Sequence, residues 1–290
     1  MTDRPHIART CVCCSSAALR RSPAILMPFV AKRALGWDRV TIDETWNLRD
    51  VPNGAGFAIC NSVLCEKCGL IFLDMRFDDA DMASLYRAYR GEEYVALRDF
   101  YEPGYRARNE ALTAESPFLP QIEKFLQKHV MENPRILDWG GDSGANTPLR
   151  RQAKVLDIFD ISGNGVVSGA RAVDEATATA CEYDLVILRH VLEHIPFPED
   201  IIRAVSRAMG PATTLYIEVP HEQLMVHARD GADALSQKKH WHEHVNFYTI
   251  EALGALLARS GLTIRASESI DVSSADAPYR VLGVVAERQP

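Results

Sequence analysis

The 290-residue sequence predicts an α/β fold in which a doubly wound, mostly parallel sheet follows a small cysteine-rich module and a helical linker. Three observations predict it. Six of the seven cysteines fall before residue 70, among short apolar pieces broken by Pro, Gly and Asn, which reads as a loop-rich module. Residues 77–130 read as helical: Met82, Leu85, Tyr86 and Tyr89 recur at three-to-four spacing, and Ile122, Phe125, Leu126 and His129 repeat the pattern after Pro120. From Arg135 onward, short apolar strands (ILDW, KVLDIFD, ARAVDE, YDLVIL, LYIEVP) alternate with turns and with helical stretches at residues 199–209 and 250–259. That order implies parallel strands joined by crossovers.

Composition narrows the function. At 47% hydrophobic and 24% charged, the chain is an ordinary globular one. Its length suggests about two domains, and the expected division is 1–76 (module), 77–130 (linker or lid) and 131–290 (sheet domain). With 32 basic against 39 acidic side chains and a net charge of -7, a general grip on phosphate backbones is disfavoured, so no nucleic-acid partner is expected. The most apolar early stretch, PAILMPFV at residues 23–30, is far short of the ~20 residues needed to cross a bilayer. Neither a spanning helix nor a signal peptide is visible, so the expectation is a cytoplasmic chain without a membrane partner. In a reducing compartment, paired cysteines more often hold metal than form disulfides.

The cysteine spacing fits that expectation. Cys11 and Cys14 form one C-x-x-C pair, and Cys65 and Cys68 another, followed by Gly69. Four thiolates suit one tetrahedral zinc, and a closed site of this kind is structural rather than catalytic. Cys13, inside the first pair, leaves open which two of its three thiolates bind. Cys60 and Cys181 stand outside the pairs and read as packing residues.

The first strand of the sheet runs into ILDWGGDSGAN, a turn carrying Gly140, Gly141 and Gly144. Glycines there let backbone approach a ligand closely. Asp138 and Asp142 would repel a pyrophosphate, and suit a ligand bearing an ammonium or sulfonium better. The next strand ends FDIS, placing Asp160 where a carboxylate accepts hydrogen bonds from ribose hydroxyls. Asp157 competes for that role from inside the strand, and Asp160 is favoured.

These segments resemble the class I S-adenosylmethionine-dependent methyltransferases, whose sheet is Rossmann-like. ILDWGGDSG is similar to their first motif, FDIS to their ribose-binding strand end, and YDLVILRHVLEHIPFPEDIIRAV to their fourth strand and following helix. LYIEVP and EHVNFYTIEALGALLARSGLTI are similar to their fifth strand and the segment after it. The likeness covers residues 135–287. Upstream, the Cys pairs with CEKCGLIFLDMRFDDADMASLY resemble the zinc-binding leader of the sugar C-methyltransferase branch, members of which often carry a further C-terminal domain. The resemblance implies that Asp138 and the turn from Gly140 to Gly144 hold the methionine part of the cofactor, Asp160 the ribose and Asp174 the adenine side. Arg189 and His190 would face the reaction centre. About fourteen residues separate Asp160 from Asp174, too few for a full crossover helix.

Methyl transfer to an alcohol or an acidic carbon needs alignment and a proton acceptor, for which histidine is suited at neutral pH. Two clusters offer it, RHVLEHIP and HWHEH. His190 and His194 stand one helical turn apart and are expected to share a face, with His194 structural. The resemblance makes His244 the first choice of base, oriented by Glu243. HWHEH holds metal-ligand residue types, but no third cluster in the sequence points to a catalytic metal. Tyr94, Tyr101 and Tyr105 are expected in a lid over the site, with Tyr94 counted among the catalytic residues and Arg98, Arg106 and Arg108 available to an anionic acceptor; Tyr86 and Tyr89 read as core. The expected activity is methyl transfer from S-adenosylmethionine to carbon or oxygen of a small, anionic acceptor such as a nucleotide-linked sugar. The alternatives are a nicotinamide-dependent oxidoreductase on the same sheet and a non-catalytic zinc-containing scaffold.

Overall fold

The computed structural model describes residues 6–49, 52–113, 116–272 and 279–289. The N-terminal part contains β1 (Leu19–Leu26), α1 (Pro28–Leu35), β2 (Val40–Ile42), β3 (Gly54–Gly56), β4 (Ile59–Cys65) and β5 (Ile71–Leu73). Helices α2 (Asp79–Tyr86), α3 (Glu92–Tyr101), α4 (Tyr105–Thr113) and α5 (Leu119–Leu126) follow. The remainder comprises β6 (Arg135–Trp139), β7 (Val155–Phe159), β8 (Arg171–Ala172), α6 (Glu175–Ala180), β9 (Tyr183–Arg189), α7 (Pro198–Arg207) and β10 (Met209–His221). It ends with α8 (Gln223–His227), α9 (Gly231–Gln237), β11 (His240–Trp241), β12 (Asn246–Phe247), α10 (Ile250–Ala258), β13 (Leu262–Val272) and β14 (Tyr279–Arg288).

A seven-stranded sheet in the order β13-β14-β10-β9-β6-β7-β8 forms the core. β8, β7, β6, β9 and β10 run parallel, and only β14 runs against its neighbours. The parallel strands are apolar because both their faces are covered. Along β9, Val186 and Leu188 pack with Ile202 and Val205 of α7 and Leu253, Leu256 and Leu257 of α10. Leu185 and Ile187 point the other way, into Ile122, Phe125 and Leu126 of α5. Strand order reverses between β6 and β9, and in open α/β sheets ligands bind outside the carboxyl ends of the strands at such a point. The segment from Asp160 to β8 contains no helix, and β8 is only two residues long, so a loop replaces the crossover there.

The reading of residues 1–76 as loop-rich is corrected by a second, five-stranded sheet, β11-β1-β4-β5-β12. Both its edges come from the HWHEHVNF segment: β11 pairs parallel with β1, and β12 antiparallel with β5. Trp241 anchors the first edge, fully buried with its indole N–H donating to Ser62 Oγ at 2.8 Å. Arg76, also fully buried, donates to Pro196 O at 2.9 Å and to Asn246 Oδ1 at 3.0 Å, tying the small sheet to the segment after β9. His244 and Glu243 therefore sit between the two sheets, and their placement depends on both.

Candidate active site at the carboxyl edge of the sheet

Asp138, one residue before the end of β6, is buried. Thr147 Oγ1 donates to its Oδ2 at 2.5 Å, and its Oδ1 is buried with no hydrogen-bond partner. Burial pushes this carboxyl up to about 6, against the pull of the Thr147 hydrogen bond and the Arg189 charge. In the turn that follows, Gly140 (φ +82°) and Gly144 (φ +77°) take left-handed backbone, and a Cβ would lie 2.5 Å from Val191 at Gly140 and 2.9 Å from Ile158 at Gly144. The turn's own packing requires these glycines. At Gly141 a Cβ would meet the Asp138 carboxylate at 2.6 Å.

Asp160, just past β7, accepts from the backbone N–H of Asp142 at 2.9 Å and of Ser162 at 2.8 Å, so it shapes the glycine turn from the neighbouring strand. Asp157 is committed elsewhere: Arg171 grips it with two hydrogen bonds, at 2.7 and 2.8 Å, and the Tyr183 hydroxyl donates at 2.8 Å. Asp174 is exposed and caps α6, accepting from Thr177 N at 2.8 Å. Arg90, from the turn between α2 and α3, lies 3.5 Å from Asp142 and so joins the helical linker to the glycine turn.

Past β9, Arg189 donates to Glu218 at 2.7 Å and to Asn146 O at 3.1 Å. The expectation that His190 and His194 share a helical face is corrected: His190 adopts left-handed backbone (φ 54°), and only a 3-10 turn, Leu192–His194, follows. His190 instead bridges two carboxylates, Glu193 at 3.2 Å and Glu218 at 3.1 Å. Burial alone would lower its pKa, but those hydrogen bonds raise it to about 9. The Tyr86 hydroxyl and His194 Nδ1 share a hydrogen bond of 2.9 Å, and the His194 ring packs edge-on against His244, 4.7 Å between centroids. Burial and the neighbouring His244 charge lower His194 to about 4.

His244 is oriented by Glu222, not by Glu243 as the sequence suggested: its Nδ1 lies 2.8 Å from Glu222 Oε1. Burial works against its charged form, and the Glu222 hydrogen bond outweighs it, raising the pKa above the ordinary 6.5. Glu243 is buried and turned toward α3, where it accepts from the Tyr94 hydroxyl and from Arg98. Tyr94 is itself fully buried, so it supports Glu243 from behind and forms no exposed lid. Arg98 is spent on Glu243 and on Glu102 at 3.1 Å, Arg106 pairs with Glu92 at 2.8 Å, and Tyr101 bonds Asp38 at 2.8 Å. Of the three arginines expected to meet an anion, Arg98 and Arg106 thus have carboxylate partners within the chain.

Glu222, Glu218 and Thr147 escaped the sequence reading. Glu218 had a signal: it is the single charge in the otherwise apolar run LYIEVP. Glu222 had none, because only the strand ends and the re-entry of residues 240–247 bring it to His244. A shallow surface hollow lined by Met131, Arg135, Lys154 and Asp184 lies at the amino ends of the strands, opposite all of these groups.

Apart from this edge, Cys11, Cys14, Cys65 and Cys68 converge, with sulfurs within 4.8 Å of one another. Cys11 and Cys68 are 3.6 Å apart and Cys14 and Cys65 3.4 Å. Sulfurs bound to one zinc at ~2.3 Å in a tetrahedron stand about 3.8 Å apart. Cys13 is fully buried and outside the group.

Residues 106–267 match the family model of a methyltransferase domain. The chain is 30% identical over 100 residues to the ubiquinone biosynthesis O-methyltransferase of Aeromonas salmonicida, covering 32% of this chain and 41% of that protein's length. It is 26% identical over 183 residues to the protein of the same name from Hydrogenovibrio crunogenus, covering 56% and 75%. Among solved structures, the Burkholderia thailandensis 1,6-didemethyltoxoflavin-N1-methyltransferase with bound 1,6-didemethyltoxoflavin and S-adenosylhomocysteine is similar at a TM-score of 0.48 and 16% identity, over 68% of this chain and 90% of that one. Among the described residues, no helix is long and apolar enough to cross a membrane.

Proposed function

Because the chain belongs to the methyltransferase-domain family, we propose that it transfers a methyl group from S-adenosylmethionine to carbon or oxygen of a small acceptor, at the carboxyl edge of the seven-stranded sheet. One observation carries the reading: beside the glycine turn at the switch point, Asp138 keeps a buried carboxylate oxygen without a partner. An orphaned acceptor costs about 1–3 kcal/mol, and a cationic ligand with hydrogen-bond donors would relieve it. The residues therefore fit this cofactor. Asp138 and the turn from Gly140 to Gly144 would hold its charged amino-acid end, and Asp160, with Asp174 further along the edge, its nucleoside. When bound, the cofactor supplies an electrophilic methyl on a sulfonium.

The chain's own residues do the rest. Arg189, held by Glu218 and Asn146, fixes the spacing between the glycine turn and the end of β10. His244, its Nδ1 engaged by Glu222, has Nε2 available to take the acceptor's proton. Glu243, Tyr94 and Arg98 act as positioning residues behind it. The first candidate acceptor is an anionic, nucleotide-linked sugar, on the resemblance to the sugar C-methyltransferase branch. The names of the two relatives favour a second, a hydroxyl oxygen of the kind methylated in ubiquinone biosynthesis. The nicotinamide alternative is disfavoured by Asp138 and Asp142 beside the turn. For the cysteine cluster we infer structural zinc: its four sulfurs leave no open position for chemistry.

The test is an isotope-labelled methyl assay with both acceptor classes. Label appearing in either product supports transfer and names the acceptor; label in neither, with the cofactor bound, would remove both acceptor assignments.

A further inference from the structure

We propose that Glu193, His194 and His244 form a second metal site, open and unlike the cysteine cluster, which takes one divalent transition-metal cation of the zinc, cobalt or nickel class. One carboxylate oxygen and one nitrogen from each imidazole lie within 4.8 Å of one another. A tetrahedral set at ~2.1 Å places its ligands about 3.4 Å apart, so shifts of about an ångström close the site.

The surroundings are built as metal sites are. A ligating histidine ordinarily gives its other ring nitrogen to a carboxylate, carbonyl or hydroxyl that fixes its orientation. Here Nδ1 of His244 is held by Glu222 at 2.8 Å and Nδ1 of His194 by the Tyr86 hydroxyl at 2.9 Å, which leaves Nε2 of each ring to ligate. The Nε2 of His194 already stands 4.0 Å from Glu193 Oε1. Glu193 is 1% exposed, and its Oε2 is buried without a hydrogen-bond partner. A fully buried carboxylate oxygen left unmatched beside two imidazoles is a place for a cation.

The two segments that carry the ligands are locked together. Val245 N donates to Glu193 O at 2.7 Å, Asn246 Nδ2 to Leu192 O at 3.0 Å, and the Tyr248 hydroxyl to Leu192 O at 3.1 Å. Two imidazoles and one carboxylate suit borderline metals rather than Mg2+ or Ca2+, and three protein ligands keep a position open. Occupancy also uses the Nε2 lone pair of His244, so the cation and the acceptor's proton compete for one nitrogen. That consequence, unlike the site, rests on His244 being the proton acceptor.

The test is a cobalt titration of the full chain with its zinc content measured beforehand. We expect one equivalent of Co2+ to give visible ligand-field absorption without the intense thiolate-to-cobalt charge-transfer band that the four-cysteine cluster would produce. His194→Ala and Glu193→Gln abolish that absorption, Glu222→Gln weakens cobalt affinity about 10–100-fold, and His242→Ala leaves it unchanged. Circular dichroism of Glu193→Gln and Glu222→Gln checks that both fold. Cobalt absorption that always carries the thiolate band, or that survives both ligand variants, overturns the proposal. Cobalt binding that leaves methyl transfer undiminished would instead count against His244 as the base.

Discussion

His244 and Glu222 are joined across 22 residues of chain by a 2.8 Å contact between imidazole Nδ1 and carboxylate Oε1. β10 delivers Glu222 to the carboxyl edge, and the return of the chain into the small sheet delivers His244. If His244 is the proton acceptor, His244→Asn lowers kcat by about 10²–10⁴-fold while S-adenosylhomocysteine affinity stays within about twofold of wild type. Steady-state kinetics paired with calorimetry separate the two effects.

The same pair sets a pH dependence. The Glu222 hydrogen bond holds the His244 pKa above 6.5, and the base must be neutral to act, so the acid limb of kcat/KM lies above 6.5. Glu222→Gln removes the charge that favours the imidazolium, and the limb moves to lower pH. A pH profile that is unchanged in this variant would detach Glu222 from the chemistry.

Asp138 gives a second dependence, of opposite use. Its carboxyl titrates at about 6 in the fold against an ordinary 3.8. The fold holds that proton more tightly than the unfolded chain does, so the stability it contributes is present below 3.8 and is lost as pH rises through about 6. Ionised Asp138 is also what a cationic cofactor needs. Cofactor affinity should therefore tighten as pH rises from 5 to 7 in wild type and stay flat in Asp138→Asn, as calorimetry at several pH values would record.

The glycine turn makes a stability prediction. Gly140→Ala forces a side chain onto left-handed backbone and against Val191, and should cost about 2 kcal/mol or more in denaturant unfolding. Gly254 lies within α10, and a Cβ there meets only Ile264, at 3.8 Å. Gly254→Ala should stabilise by about 0.4–1 kcal/mol.

The cysteine cluster should hold one zinc per chain in protein purified without chelator, counted apart from any ion in the open Glu193, His194 and His244 site. Cys14→Ser should lose it and Cys13→Ala retain it, because Cys13 lies outside the group of four. Elemental analysis of the three proteins decides this.

The parallel strands were legible because burial on both faces writes them as mostly apolar runs, LVIL in β9 and VLDIF in β7, the latter broken only by Asp157. The cysteine pairs were legible because each is local. β11 and β12 were not: two-residue strands owe their existence to β1 and β5, far away in the chain, and nothing in HWHEHVNF alone marks it as the edge of another sheet. The partner of His244 was misread for the same reason. Glu243 is adjacent in sequence, but within the small sheet's re-entrant segment it turns toward Tyr94 and Arg98, and Glu222 arrives from β10. Local spacing reads what the backbone holds together, and it misses what only the closed fold brings near.

The most direct test of the transferase assignment is calorimetric titration of the intact chain with S-adenosylhomocysteine, NAD and NADP at pH 7.5. One S-adenosylhomocysteine should bind per chain, more weakly in Asp160→Asn, with no heat from either nicotinamide cofactor. NAD or NADP binding without S-adenosylhomocysteine, or no binding of any of the three, would contradict the assignment.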